Sequence, residues 1–163
     1  MPPNVCIAYY SRTGTTRSVA ETVAERFSEA TVNRIRPAEE RRYADWLLRS
    51  AVPGSSVPIE PIQTDLREYD AVFLGTPKWT LSCPPFTEFL RRASLEGCPT
   101  GVFLTYGGFD EERYLRRIVS TLREDGADVR ATLRVQRDAI DTPDCDAGIS
   151  RFCDAVVPSD TDR

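Results

Sequence analysis

The sequence predicts an α/β protein with a doubly wound parallel sheet of five strands, in the order 2-1-3-4-5, and helices on both faces. Strand-like and amphipathic helical segments alternate along the chain, which requires parallel strands joined by helical crossovers. The first, third and fourth strand segments are apolar throughout, as central strands covered on both faces are. The second is weak and the fifth alternates, so these two belong at the edges of the sheet.

In the first half of the chain, apolar runs predict strands, and apolar residues spaced three or four apart predict helices. The first helix follows threonines that suit an N-cap, and Val19, Val23 and Phe27 define its buried face. Three prolines and a glycine then predict a long loop, which in a compact protein is usually functional or mobile. In chain order, this half contains a strand, a helix, a strand, a helix and the loop, at residues 5–10, 15–27, 31–35, 39–51 and 52–64.

The second half of the chain continues the alternation. Pro84 and Pro85 open a helix, because proline is tolerated in the first helical turn. Asp110 is placed to cap the following helix and Gly126 to end it. The segment 129–135 alternates between apolar and polar side chains, so one face of the fifth strand should meet solvent. In chain order, this half contains a strand, a helix, a strand, a helix, a strand and a helix, beginning at residues 70, 84, 101, 111, 129 and 143.

Length and charge bound the class of protein. With 163 residues, the chain is expected to form one domain over residues 1–158, with a frayed tail at 159–163. The 21 basic and 25 acidic residues give a net charge of -4 and are interspersed, so we expect no nucleic-acid partner. Residues 1–4 lack the features of a signal peptide, and no apolar run approaches the roughly 20 residues of a membrane span. We therefore expect a cytoplasmic protein with no membrane partner.

The composition also limits the available chemistry. The chain has no histidine, which excludes a Ser-His-Asp triad and imidazole metal ligands. Its cysteines are scattered, odd in number and without a C-x-x-C spacing, so they predict reduced thiols and no metal site. Among the 21 basic residues, Lys78 is the only lysine. The five cysteines are Cys6, Cys83, Cys98, Cys145 and Cys153.

Ligands of such a sheet bind beyond the carboxyl ends of the strands at its switch point, between the first and third strands. The loops of interest are therefore 11–16, 76–83 and 106–110. The first, S-R-T-G-T-T, supplies four hydroxyls and backbone N–H groups at the positive end of the first helix, which suits a phosphate monoester. It matches neither G-x-x-x-x-G-K nor G-x-G-x-x-G. The alternative interpretation is an ordinary turn with a helix cap.

The segment that contains the first of these loops, I-A-Y-Y-S-R-T-G-T-T-R-S-V-A-E-T-V, resembles the flavodoxin signature. Ala8 departs from the pattern, being small where an aliphatic or aromatic residue is usual. The resemblance covers nearly the whole chain in element order, and the uninterrupted fifth strand is similar to the short-chain branch of that family. The matching positions are Ile7, Tyr9, Ser11, Gly14, Thr16, Ala20 and Val23.

The resemblance implies a noncovalent FMN whose phosphate occupies the first loop and whose ring lies between the other two. The hydroxyls implied to bond the phosphate are those of Ser11, Thr13, Thr15 and Thr16. Arg12 and Gly14 would contribute backbone N–H groups. The side chain of Arg12 either contacts the phosphate as well or points to solvent.

The ring would be held by Thr76, Pro77, Lys78 and Trp79 on one side and by Tyr106, Gly107, Gly108 and Phe109 on the other. Trp79 has an apolar face that a flavin ring would cover; the alternative is packing on the next helix or on the proline-rich loop. The glycines permit close approach to the pyrimidine side of the ring. Either Tyr106 or Phe109 would cover an edge. Lys78 near the N1/C2 edge would favour the anionic reduced flavin and raise its potential.

Three functions follow from these residues. The leading hypothesis is an FMN-binding electron-transfer protein that serves redox protein partners, although the chain is only mildly acidic for such a carrier. The alternative is an FMN-dependent NAD(P)H oxidoreductase acting on a quinone or another small acceptor. In that case the 52–64 loop would build the pocket that binds the nicotinamide. A remote alternative is a phosphatase that uses Cys6 and Arg12, which stand in a Cys-x5-Arg arrangement. A domain of this fold that has lost its cofactor is also compatible with the sequence.

Overall fold

A computed structural model describes residues 2–108 and 110–157. Its strands are β1 (Val5–Tyr9), β2 (Ala30–Arg34), β3 (Ala71–Pro77), β4 (Pro99–Tyr106) and β5 (Asp128–Gln136). Its helices are α1 (Thr15–Glu25), α2 (Tyr43–Ser50), α3 (Pro84–Arg92), α4 (Glu111–Glu124) and α5 (Pro143–Val156), with a short 3-10 turn at Arg137–Ala139. No helix of this part of the chain is long and apolar enough to cross a membrane.

The five strands form one parallel sheet in the order β2-β1-β3-β4-β5, which confirms the predicted topology. In the centre of the sheet, Ile7 pairs with Val32 on one side and with Phe73 on the other. The ladder between β4 and β5 has one irregularity: Thr100 pairs with Val129, whereas Gly101 pairs with Ala131. Beyond this bulge β5 continues to its end without an inserted segment.

Apolar cores lie on both faces of the sheet because the side chains of each strand point alternately to opposite faces. On one face, Cys6 and Ala8 of β1 belong to a core built with α3 and α4. On the other face, Val5 and Ile7 belong to a core built with α1 and α5. All four side chains are fully buried, as expected of a central strand covered on both sides. The predicted helix layers on both faces are therefore confirmed.

Two of the predicted helix caps are wrong. The residue before α1 is Gly14, in the left-handed region at φ 97°, and no threonine side chain caps the helix. Asp110 does precede α4, but its φ of 63° is also left-handed, and its carboxylate makes no capping hydrogen bond. A side-chain cap needs an extended backbone at this position, which neither residue has. Gly126 has a φ of 91° just past the end of α4, as a helix stop requires.

The proline-rich segment 52–64 is a loop, as predicted, and it is attached at both ends. Ile59 forms an antiparallel bridge with Pro37, so this loop pairs with the chain that follows β2. After this pairing, α2 starts at Tyr43, four residues later than the sequence pattern predicts. Nearer the start of the loop, Arg91 of α3 donates hydrogen bonds to the carbonyl oxygen of Gly54 and to Oγ of Ser56.

We expect Gly75→Ala to destabilise the protein. A Cβ on Gly75 would overlap the ring of Phe103, which is fully buried and cannot move aside without disturbing its neighbours. The expected loss in the free energy of unfolding is about 1–3 kcal/mol, measured from the urea midpoint. Gly108→Ala is the matched control, since a Cβ there meets nothing within 4 Å. Equal midpoints for the two variants would contradict this packing.

We also expect only one thiol to react rapidly in the native protein. All five cysteines are free. Burial raises the pKa of Cys6 and Cys83 to about 12 and that of Cys98 and Cys153 to about 11. At neutral pH these thiols are therefore protonated as well as inaccessible, whereas Cys145 is half-buried. A chromogenic disulfide reagent should titrate one thiol rapidly and all five in guanidinium; several fast thiols would contradict the buried positions.

Candidate functional site

The carboxyl ends of β1, β3 and β4 surround a cleft of about 180 Å³ at the predicted switch point. A larger groove of about 530 Å³ lies elsewhere, between α3, α4 and the start of the proline-rich loop, and none of the predicted site residues lines it. The residues that line the cleft are Ser11, Arg12, Thr13, Thr15, Thr16, Tyr43, Pro77, Trp79, Thr105, Tyr106 and Arg137.

The first loop folds around its own serine. The backbone N–H of Gly14 donates a hydrogen bond of 3.1 Å to Oγ of Ser11, and the left-handed backbone of Gly14 then starts α1. The first hydrogen bond of α1 runs from the N–H of Ser18 to the carbonyl of Gly14. The N–H groups of residues 15–17 consequently have no acceptor within the helix and are available to an anion.

The hydroxyls of this loop occupy two kinds of position. Ser11 and Thr16 are buried, whereas Thr13 is exposed and Thr15 is half-buried. Oγ1 of Thr16 forms a buried hydrogen bond of 2.7 Å with Oγ1 of Thr105, at the end of β4. The carbonyl oxygen of Thr105 accepts a hydrogen bond of 2.8 Å from the N–H of Lys78. Thr105 therefore joins the first predicted loop to the second.

The second loop brings only part of its predicted residues to the cleft. Pro77 and Trp79 line it, whereas Thr76 is fully buried and Lys78 is half-buried outside the lining. The ring of Trp79 lies 5.7 Å from that of Trp46 in α2 at an angle of 33°, and 5.5 Å from that of Tyr10 edge to face. Its aromatic contacts are thus with α2 and with the residue that follows β1, and Trp79 also packs against the apolar core on the α3 and α4 face of the sheet.

From the third loop, Tyr106 lines the cleft. Gly107 lies against Arg137: a Cβ at this glycine would be 3.5 Å from Cζ of the guanidinium group. Gly108 has open space around it. Phe109 lies outside the described residues. Like Gly108, Gly14 shapes the backbone but is not among the residues that line the cleft.

Three residues of the cleft were missed by sequence reasoning. Tyr43 was predicted only as part of the second helix, and in the structure the guanidinium of Arg12 lies 4.7 Å from the centre of its ring. Thr105 had a usable signal, since it is a hydroxyl residue near the carboxyl end of an apolar central strand. Arg137 follows the fifth strand, outside the three loops, and nothing in the local sequence marks it.

The cleft is cationic although the chain as a whole is acidic. Arg12 and Arg137 both line it, and no acidic side chain is found among the described residues that do so. Glu111, at the start of α4, is paired with Arg134 at 3.4 Å. The group that fits this cleft is therefore anionic.

The thiol of Cys6 lacks the properties of a phosphatase nucleophile. Cys6 is fully buried within β1, and the loss of solvation raises its pKa to about 12. A nucleophilic cysteine needs a lowered pKa and access to its substrate. Arg12 lines the cleft with its own partner, Tyr43, and the Cys-x5-Arg spacing does not bring Cys6 to the cleft.

The fold and the cleft together define a class: doubly wound α/β proteins whose ligand cleft lies at the switch point of the sheet. A family model described as Flavodoxin matches residues 4–124, well over half of the chain. The chain belongs to the flavodoxin family. An uncharacterized protein from Archaeoglobus fulgidus is 34% identical over 131 residues, covering 79% of this chain and 83% of the relative.

Solved structures share the fold. A protein of Bacteroides eggerthii, provisionally described as a flavoprotein, has a TM-score of 0.75 at 22% identity, covering 96% of this chain and 99% of its own. Oxidised Flavodoxin 2 from Bacillus cereus has a TM-score of 0.64 at 20% identity, with coverages of 94% and 97%. A flavoprotein from Lactobacillus acidophilus in complex with FMN has a TM-score of 0.61 at 16% identity, with coverages of 92% and 98%.

We expect the hydroxyl pair of Thr16 and Thr105 to couple the first loop to β4. Thr16→Val or Thr105→Val alone leaves the other hydroxyl buried without its partner, at a cost of about 1–3 kcal/mol in the free energy of unfolding. The double variant should recover most of this loss, because both hydroxyls are then gone. Urea denaturation of the four proteins measures the coupling, and additive losses would show that the two hydroxyls act independently.

Proposed function

We propose that this protein binds FMN noncovalently in the cleft and acts as an electron-transfer protein. The observation that carries the proposal is the convergence, in one cleft, of an anion-suited helix end with the aromatic residues Trp79 and Tyr106. Membership of the flavodoxin family supports it, as does the FMN complex of the structurally similar Lactobacillus acidophilus protein. FMN would supply the redox chemistry, which no side chain around the cleft provides.

The residues present suit a phosphorylated flavin. The N–H groups at the start of α1 and the hydroxyls of Ser11, Thr13 and Thr15 would bind the phosphate. Trp79 is held by Trp46 and Tyr10, so the protein fixes its ring before a ligand arrives. Tyr106 and the open space around Gly108 leave the third loop accessible to the edge of a planar ring.

The side chains around the cleft support a carrier rather than an acid–base catalyst. The ionisable groups that line it are the two guanidinium groups and the two tyrosines, Tyr43 and Tyr106. Guanidinium groups remain protonated at any physiological pH and do not exchange protons with a substrate. Protein groups here can therefore bind and orient a cofactor and influence its potential, and proton transfer is left to solvent.

Exposed apolar side chains on α2 and in the segments next to it support a protein partner. Tyr43 lines the cleft, and Leu48 lies on the same helix, with 73% of its surface exposed. Val52 follows that helix, and the N–H of Leu81 bonds to the carbonyl of Ser50 nearby. Exposed apolar groups of this kind are typical of protein-contact surfaces. A redox protein docked here would approach the wall that contains Trp79.

The position of the proline-rich loop argues against the reductase alternative. Residues 52–64 would have to build a nicotinamide pocket beside the flavin, yet none of them lines the cleft. This loop is instead attached to the chain after β2 and to Arg91 of α3.

We expect the protein to take up FMN and to depend on another protein for reduction. Titrating the unliganded protein with FMN should quench flavin fluorescence and shift the visible flavin band, with one equivalent bound. Denaturation should release unmodified FMN, because the cofactor is held noncovalently. A protein that binds no FMN under these conditions would refute the proposal.

Anaerobic mixing of the FMN-loaded protein with NADPH separates the carrier from the enzyme. A carrier should retain its visible absorption until a partner reductase is added, whereas chemical reduction with dithionite should bleach it at once. Rapid bleaching by NADPH alone would establish the oxidoreductase instead.

A further inference from the structure

Arg137 reaches the cleft from an element outside the three predicted loops. It belongs to the 3-10 turn that follows β5, the edge strand, and its guanidinium lies against the backbone of Gly107. A Cβ at Gly107 would lie 3.5 Å from Cζ of Arg137, which is van der Waals contact, so the guanidinium packs directly against this loop. Within residues 2–108 and 110–157, Arg137 forms no ion pair, whereas Arg134 in β5 is paired with Glu111.

Arg12 occupies another part of the cleft wall, where its guanidinium rests on the ring of Tyr43. The two arginines therefore come from opposite regions of the chain, after the first and after the fifth strand. The cleft is small, about 180 Å³. The hydroxyl residues of the first loop and both arginines line this one space. Thr15 and Thr16, at the start of α1, thus line the same cleft as the two arginines.

An arginine is well suited to this position because its planar guanidinium donates two parallel hydrogen bonds to phosphate oxygens. The first loop contains no lysine, and its hydroxyls and N–H groups are dipoles without a full charge. A phosphate monoester is close to a dianion at neutral pH, so the added cations from the walls match its charge.

We propose that Arg137 is a specificity-determining residue that binds the phosphate monoester of the cofactor and makes the cleft select FMN over the unphosphorylated flavin. This inference rests on the proposed function and extends it to a residue beyond the sequence motif.

The test compares FMN and riboflavin binding by fluorescence quenching in the wild type, Arg137→Gln and Arg134→Gln. We expect Arg137→Gln to weaken FMN binding about tenfold, to leave riboflavin binding unchanged and to make the salt dependence of FMN binding shallower. Arg134→Gln, three residues earlier, in β5 and outside the cleft lining, should bind both flavins as the wild type does. Arg137 is exposed, so its replacement should leave the fold intact, which circular dichroism checks.

Each other outcome is decisive. Unchanged FMN binding by Arg137→Gln, with a wild type that binds FMN, would overturn the role of Arg137 and leave the proposed function standing. Equal weakening of FMN and riboflavin would also overturn it, since the side chain would then act on the ring. If the wild type bound neither flavin, the proposed function and the selection of FMN would both fail, and inorganic phosphate would decide whether Arg137 binds a phosphate group. A phosphate-dependent rise in Tm that is smaller in Arg137→Gln supports it; equal rises, or none, overturn it.

Discussion

The hydrogen bonds of Thr105 hold the cleft together. Its hydroxyl is bonded to Thr16 in the first turn of α1, and its carbonyl accepts the N–H of Lys78 in the loop after β3. Thr105 itself is paired between β3 and β5, where it lies opposite Pro77 and Val135. Because the sheet fixes this residue on both sides, the loops bonded to it have fixed positions as well. A ligand in the cleft therefore meets walls that are already assembled, which lowers the entropy lost on binding.

The distribution of charge divides the molecule into an acidic surface and a cationic cleft. The net charge is -4, yet the cleft is bordered by Arg12 and Arg137 with no acidic side chain among its described lining. This contrast is consistent with a cofactor that carries its own negative charge. Under the proposed function, the mild overall acidity would leave apolar contact a larger part in partner binding. Leu48, Val52 and Leu81 are exposed apolar side chains that could make such contact.

Much of the fold could be predicted because burial leaves a direct trace in the sequence. The apolar runs of β1, β3 and β4 marked the centre of the sheet, and the alternation of β5 marked an edge. The helix starts were harder to predict from the sequence. Gly14 and Asp110 adopt left-handed backbones that remove the expected side-chain caps, and such backbone conformations depend on the loop as a whole. Likewise, α2 starts four residues later than the pattern predicts, after a segment in which Pro37 is paired with Ile59, about twenty positions farther along.

At the site, the sequence by itself determined the local chemistry. It places a hydroxyl-rich loop at a helix start, an aromatic residue in the second loop and two glycines in the third loop. These features depend on neighbouring residues and on strand order, both of which a single sequence contains. Only the tertiary structure decided which side chains meet. Trp79 packs on Trp46, Arg12 lies on Tyr43, and Arg137 approaches Gly107, in each case across about thirty residues of chain. Such pairs are set by the crossing of helices over the sheet and by the length of each loop, and no short-range pattern records them.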